Sequence, residues 1–195
     1  LDISLPKSLE IEGKFWYKKL SKTQFFCMKN TLNFLLRVNK LKEMPRTGLV
    51  TWRVKNPATI ADHIFRVAFT LWLLGQKKNL DIKRIIKYAL FHDLCEVYAG
   101  DLTPLFYYMK RTKKIMRGIR LSKKEREKRV KKKFEIEKKS LLKLIRFLKP
   151  ELKNEIFLFW LNYETGISKE AKLIREMNRV DALLESLEYI GTNED

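Results

Sequence analysis

The chain has 195 residues, 45% of them hydrophobic, enough for one well-buried core and a single domain. Its 42 Lys and Arg against 23 Asp and Glu give a formal net charge of +19, which implies a strongly basic surface. The two cysteines, Cys27 and Cys95, are too few for a disulfide framework and suit reduced thiols in a cytoplasmic protein; no apolar run approaches the roughly 20 residues that span a bilayer, so no membrane partner is expected.

Residues 1–20, with Pro6, Gly13 and Phe15-Trp16-Tyr17, read as an irregular N-terminal arm that packs its aromatics on the domain, and not as a signal peptide. Ser21 can cap a helix over 22–42 whose apolar side carries Phe25, Met28, Leu32, Leu35, Leu36 and Val38, and Met44-Pro45 stops it. Residues 46–57 form a loop or short extended piece with two arginines, Arg46 and Arg53, whose guanidinium forks suit a phosphate. A second helix covers about 58–74, with Ile60, Ile64, Val67, Ala68, Leu71 and Leu74 at core spacing and Gly75 at its end. Asp81 caps a third, expected to run unbroken to Tyr98 through Ile82, Ile85, Ile86, Ala89 and Leu90.

Beyond Thr103-Pro104 the composition changes. Between Lys110 and Lys133 stand fourteen Lys or Arg against Glu125 and Glu127, a net +12. Residues 105–121 read as a loop, and 105–133 as a basic insert. Ser122-Lys123-Lys124-Glu125 is a capping box that starts a helix reaching about Leu148. The basic run reads first as a solvated face. It can also attract anionic nucleotides through its field, or neutralise the phosphates of a polynucleotide. Its poverty in aromatics and the lack of a zinc-finger or RNA-recognition signature make nucleic acid the minor partner. A fifth helix follows from Pro150 to about Thr165, with Gly166 as its breaker, and a sixth from Ser168 to about Ile190 turns Leu173, Ile174, Met177, Val180, Leu184 and Leu187 inward. Residues 192–195 are a frayed tail. With no period-2 pattern, the fold is all-α, a bundle of about six helices over 21–191.

Chemistry concentrates in Phe91-His92-Asp93-Leu94-Cys95-Glu96-Val97-Tyr98-Ala99-Gly100-Asp101. The sequence holds only two histidines, His92 here and His63 in Ala61-Asp62-His63. Imidazole and carboxylate donors suit a divalent cation such as Mn, Co, Mg, Ni or Zn. His92 and Asp93 point about 100° apart on a regular helix, so another segment must close around them, and His63 is the natural third donor. Glu96 shares the face of Asp93 one turn on and is placed to take a proton from an ion-activated water. Asp101 follows the helix end as its partner, as a second-site ligand, or as the acid for a leaving oxygen. The blander reading is a surface pair and a satisfied core histidine; the combined spacing favours a metal site between antiparallel helices.

The run His92-Asp93-Leu94-Cys95-Glu96-Val97-Tyr98-Ala99-Gly100-Asp101-Leu102-Thr103-Pro104, preceded by Pro57-Ala58-Thr59-Ile60-Ala61-Asp62-His63 and Arg46-Thr47-Gly48-Leu49, resembles the HD-domain phosphohydrolase superfamily, in its 5′-deoxynucleotidase branch. The similarity extends from about Asn30 to Tyr189 and includes Tyr163-Glu164-Thr165 and Glu170-Ala171-Lys172. It implies an HD-type helical bundle, a divalent metal, a deoxynucleoside 5′-monophosphate substrate and a homodimer. It places metal ligands at His63, His92 and Asp93, catalytic carboxylates at Glu96 and Asp101, and a nucleotide contact at Arg46. The chain departs from the family in two places. Asn178 stands where the family has its last Asp ligand, and Asp181, at i+3 on the same helix face, is the alternative for that role. Leu49 stands where the family has a Trp near the nucleotide. The chemistry these residues imply is metal-dependent phosphomonoester hydrolysis. The alternatives are hydrolysis of a triphosphate or signalling nucleotide, and a degenerate HD domain that binds nucleic acid through its basic run.

Overall fold

The computed structural model describes residues 21–75, 80–102 and 122–190. The expected arm over 1–20, the loop over 105–121 and the tail over 192–195 lie outside them. Helix α1 spans Lys22–Val38 and tightens into a 3-10 turn over Asn39–Lys42. A short α2, Thr47–Thr51, falls within the segment expected as a loop. Then come α3 (Ile60–Gly75), α4 (Ile82–Phe91), α5 (Glu96–Ala99), α6 (Lys123–Ile145), α7 (Pro150–Thr165) and α8 (Lys169–Ile190). No strand occurs among the described residues; the sole β feature there is an isolated antiparallel bridge between Pro45 and Thr59. The fold is all-α, as its sequence pattern requires.

Local chemistry sets several helix ends. The Asp81 carboxylate accepts from the Arg84 N–H at 3.1 Å and Ser122 Oγ from the Glu125 N–H at 3.2 Å, each satisfying a first-turn donor that has no helical partner. Thr59 and Asp62 cap α3 reciprocally: Thr59 N donates to Asp62 Oδ2 at 2.8 Å, and Asp62 N to Thr59 Oγ1 at 3.2 Å. At the far end of α7, Gly166 takes φ +62°, and its N–H closes on the carbonyls of Asn162 and Tyr163.

The third expected helix is broken. Helix α4 ends at Phe91, and residues 92–95 form a turn before α5 begins. Hydrogen bonds there shift to i→i−3, with Leu94 N to Phe91 O at 3.4 Å and Glu96 N to Asp93 O at 3.0 Å. This tighter winding rotates successive side chains by more than an α-helix does, so neighbours no longer diverge by the helical angle.

Two apolar clusters form the core. One joins Leu94, Cys95 and Val97 to Leu141, Leu144 and Ile145 of α6 and Trp160 of α7; the other joins Ile85, Tyr88 and Ala89 to Val67 and Leu71 of α3 and Ile174 of α8. Helix α3 serves both, giving Ile60 and Ile64 to the first and Val67 and Leu71 to the second. His63 and Arg66 therefore lie along the seam. Several residues expected inside are outside: Leu35, Leu36, Leu74, Val180, Leu184 and Leu187 are all exposed. Each sits on a helix face to which the described chain brings no covering element, so apolar character alone over-counted the core.

A backbone test follows from Gly166. A Cβ there would meet Arg175 Nη1 at 2.9 Å and would need the left-handed φ that L-residues disfavour. Gly166→Ala is expected to cost about 1 kcal/mol in chemical denaturation, with the α-helical circular-dichroism signal kept.

Candidate metal centre and active site

Once the helix breaks at His92, adjacent side chains converge. His92 Nε2 lies 3.1 Å from Asp93 Oδ2, His63 Nε2 lies 3.5 Å from the same oxygen, and the two Nε2 atoms are 3.3 Å apart. All three residues are buried. Donors 2.0–2.2 Å from a common cation are separated by roughly 3.0–3.5 Å in octahedral or tetrahedral coordination, so this triangle fits a divalent metal ion.

The opposite ring nitrogens fix both imidazoles. His92 Nδ1 faces the Ala89 carbonyl at 2.8 Å, and His63 Nδ1 faces Asp181 Oδ2 at 2.6 Å. A proton held on each Nδ1 leaves Nε2 as a lone-pair donor, the arrangement that orients metal-binding histidines. Asp181 is thus on the far side of His63 from the triangle. It also accepts from Arg66 Nε and, at 3.1 Å, from Arg66 Nη2. Burial pushes the Asp181 carboxyl up, but its bonds to His63 and Arg66 prevail and hold it down at about 2. Asp181, expected as an alternative last donor, has its oxygens engaged by His63 and a guanidinium, and with His63 and Glu185 it forms a second group of donor atoms close enough to hold an ion.

Asn178 lies one turn before Asp181. Its Nδ2 donates to the Tyr163 hydroxyl at 2.7 Å, and the Tyr163 ring packs on His92 with centroids 5.1 Å apart. Asn178 is thereby linked, through Tyr163, to the packing around His92. Its Oδ1 is buried and has no hydrogen-bond partner, an orphaned acceptor of the kind a cation would satisfy.

Carboxylates crowd the remaining space. Burial pushes the Asp93 carboxyl up, but His92, His63 and Arg46 outweigh it and hold the group well below the ordinary range. For Glu96, burial together with Asp93 and Asp101 raises the pKa well above the ordinary value, and its Oε2 is buried without a partner. Asp101 acts partly through the backbone. Its Oδ2 accepts from Thr47 N at 2.8 Å, and its carbonyl accepts from Thr47 Oγ1 at 2.8 Å, which ties α2 to the end of α5.

Three cations answer this charge. Arg46 lies 3.7 Å from Asp93, 4.0 Å from Asp101 and 3.8 Å from Glu185. Burial alone would lower its pKa; these acids and Glu96 raise it instead. Arg66 forks onto Asp181 and onto Glu185 at 2.9 Å, with Glu188 at 3.4 Å. Lys133 of the basic helix turns inward to Glu137 at 2.8 Å.

Of the expected substrate residues, Arg46 joins the cluster. Leu49 is buried on α2, and Arg53 is exposed at a positive φ of 59°, apart from the cluster. Sequence reasoning did not single out Arg66, Glu185 or Glu137, and it included Lys133 only among the basic-run lysines expected, with Arg46, to hold phosphate charge. Their signals were present: Arg66 is i+3 from His63, Glu185 is i+4 from Asp181, and Lys133 and Glu137 are an i,i+4 pair leading into the apolar stripe of α6.

With this fold and site in view, comparison with known proteins gives a consistent answer. The HD domain family matches residues 38–195, and the chain belongs to it. The protein called 5′-deoxynucleotidase HDDC2 in Danio rerio is 32% identical over 162 residues, 83% of this chain and 70% of that protein. Its namesake in Dictyostelium discoideum is 32% identical over 169 residues, covering 83% and 78%. Among solved structures, a conserved hypothetical protein from Pyrococcus furiosus superposes with a TM-score of 0.60 at 25% identity, over 83% of this chain and 84% of that one.

The buried acid of α6 yields a pH prediction. Burial raises the Glu137 carboxyl from about 4.5 to about 7 against the opposing pull of Lys133. Between those values the folded state binds a proton that the unfolded state has lost. Its contribution to stability is therefore fullest below about pH 4.5 and is lost as pH rises through about 7. Urea denaturation at pH 5 and pH 8 should show wild type losing more stability on this rise than Glu137→Gln, which keeps a neutral group throughout.

Proposed function

We propose that the protein is a metal-dependent phosphomonoesterase that hydrolyses deoxynucleoside 5′-monophosphates to nucleoside and phosphate. The observation that carries this reading is the triangle of His63 Nε2, His92 Nε2 and Asp93 Oδ2, with the protonatable Glu96 one turn beyond. The substrate class follows the 5′-deoxynucleotidases of similar sequence.

His63, His92 and Asp93 would hold the cation, and the orphaned Oδ1 of Asn178 is the candidate for a further donor. A divalent ion bound there would supply Lewis-acid polarisation of a phosphate oxygen and a lowered pKa for a coordinated water. Glu96, with its Oε2 buried and unpaired, is the carboxyl group placed to exchange a proton with the attacking water, accepting it when ionised. Asp101 holds Thr47, and so the Arg46 segment, against the site. Arg46 offers its guanidinium to the phosphate oxygens, where charge develops as the ester bond breaks. Leu49 leaves a smaller contact for sugar and base than the family's Trp, so discrimination between deoxy- and ribonucleotides should be relaxed. We read the protein as a homodimer; the exposed Phe65, Phe69 and Trp72 on one face of α3 and Leu183 and Leu187 on α8 support an apolar subunit contact.

The deciding experiment is phosphate release from deoxy- and ribonucleoside 5′-monophosphates by metal-stripped protein, with Mn, Co, Mg, Ni or Zn then added back. Release should return with metal and fall at least about 100-fold in Asp93→Ala and Glu96→Ala, within the range that acid–base catalysis supplies. Metal binding without turnover of any nucleotide would defeat the reading. A separate prediction concerns Asn178. Replacing a neutral amide donor by a charged one strengthens attraction to a dication, so calorimetric titration of Asn178→Asp with Mn should give tighter binding, by about tenfold for each 1.4 kcal/mol gained.

A further inference from the structure

The basic run supplies the chain's largest block of charge, yet most of its described residues face solvent. Lys123, Lys124, Arg126, Lys128, Lys131 and Lys132 of α6 are all exposed. Lys133 departs from this pattern. Its ammonium donates to Glu137 at 2.8 Å, and Glu137 is 1% exposed. Four residues further along α6, Leu141 enters the core cluster that also contains Cys95 and Val97. This face of α6 therefore packs against the segment that carries Asp93 and Glu96. The same ammonium acts electrostatically on Glu96 and on Glu164, the neighbour of Tyr163, and is itself acted on by Asp93.

A Lys–Glu pair whose carboxylate is buried is a poor device for stability, because desolvating that charge consumes much of what the attraction returns. This pair is also incomplete. Glu137 Oε2 is buried with no hydrogen-bond partner. On the other side, the Lys133 ammonium has three N–H donors, and among the described residues its ion pair is with Glu137 alone. Two donors thus remain on a side chain that is 32% exposed. The other two cations are more fully committed: Arg66 contacts Asp181, Glu185 and Glu188, and Arg46 lies among Asp93, Asp101 and Glu185. A phosphate dianion entering this acidic seam needs a cation with donors to spare.

We propose that Lys133 binds the phosphate group of the substrate, held toward the site by the buried Glu137. The assignment rests on the phosphomonoesterase reading and adds to it a second phosphate-binding side chain, carried by α6, beside Arg46 at the start of α2. Lys133 is a point-charge partner that can follow the phosphate as its geometry changes. Glu137 is a positioning residue: it limits the rotamers of Lys133 and contacts no substrate.

The test uses the full chain loaded with Mn, with 2′-deoxyadenosine 5′-monophosphate as substrate and inorganic phosphate as calorimetric ligand. Lys133→Met should raise KM and the phosphate Kd at least tenfold, with kcat and the Mn affinity changed less than threefold, since loss of uniform binding appears in KM. Lys133→Arg should restore part of the loss, and Glu137→Gln should raise KM severalfold with Mn affinity kept. The exposed Lys131→Ala is the control for the long-range field. Should Lys133→Met not fold, Lys133→Met/Glu137→Gln removes the pair together and must show the same loss of phosphate binding. The assignment is overturned if Lys133→Met keeps KM and phosphate Kd within twofold of wild type, or if Lys131→Ala weakens phosphate as much. Wild type that binds Mn but neither hydrolyses the nucleotide nor binds phosphate would instead remove the phosphomonoesterase reading, and this assignment with it.

Discussion

The structure depends on keeping a dense group of carboxylates inside a helical protein. Asp93, Glu96, Glu137, Asp181 and Glu185 are all buried, and an ionised carboxylate without a partner does not persist in an apolar interior. Two consequences follow from this constraint. Some of the acids, Asp93 and Asp181, are kept charged by histidine and arginine; others, Glu96 and Glu137, are pushed toward the neutral form by burial. Environments that separate the pKa values of neighbouring carboxyl groups allow one group to hold charge while another moves a proton.

The helices themselves are arranged to meet this need. Helix α3 supplies His63 and Arg66 from one stripe, α8 answers with Asp181 and Glu185 one turn apart, and α6 adds Lys133 and Glu137 from a third direction. The apolar clusters lie to either side of this polar seam, so the seam is a boundary between two packed halves and not a defect in one core. Breaking α4 at His92 is the local sacrifice that makes the boundary useful. It gives up regular i→i−4 bonds over four residues and gains a histidine and an aspartate that point at one place.

Much of this was legible in the sequence, for identifiable reasons. Caps at Asp81 and Ser122 and the stop at Gly166 are encoded within a few residues, and they appear where the residues say. His63, His92 and Asp93 were legible because rare histidines beside carboxylates carry little ambiguity. The break at His92 was not legible: Ala89 through Ala99 is compatible with continuous helix, and the geometry that overrides it is tertiary. The bond from Asp181 to His63 Nδ1 was not legible, because spacing brings a residue to a face without saying which atom of His63 it meets. The outward apolar faces of α1 and α8 misled in the opposite direction, since hydropathy reports what could be buried and not what covers it.

The segment between Met44 and Ile60 is closed at its base by Arg46 N to Ala58 O and Ile60 N to Met44 O, both 2.9 Å. It is fastened from outside by Asp101 on Thr47 and by the Tyr189 hydroxyl on the Ala58 N–H. All of these ties are at its neck, and the residues between, including Leu49 and Arg53, contribute no atom to the triangle of His63, His92 and Asp93. The segment is in that sense a replaceable cassette. Evolution or a protein engineer can exchange its contents without disturbing the buried groups behind it.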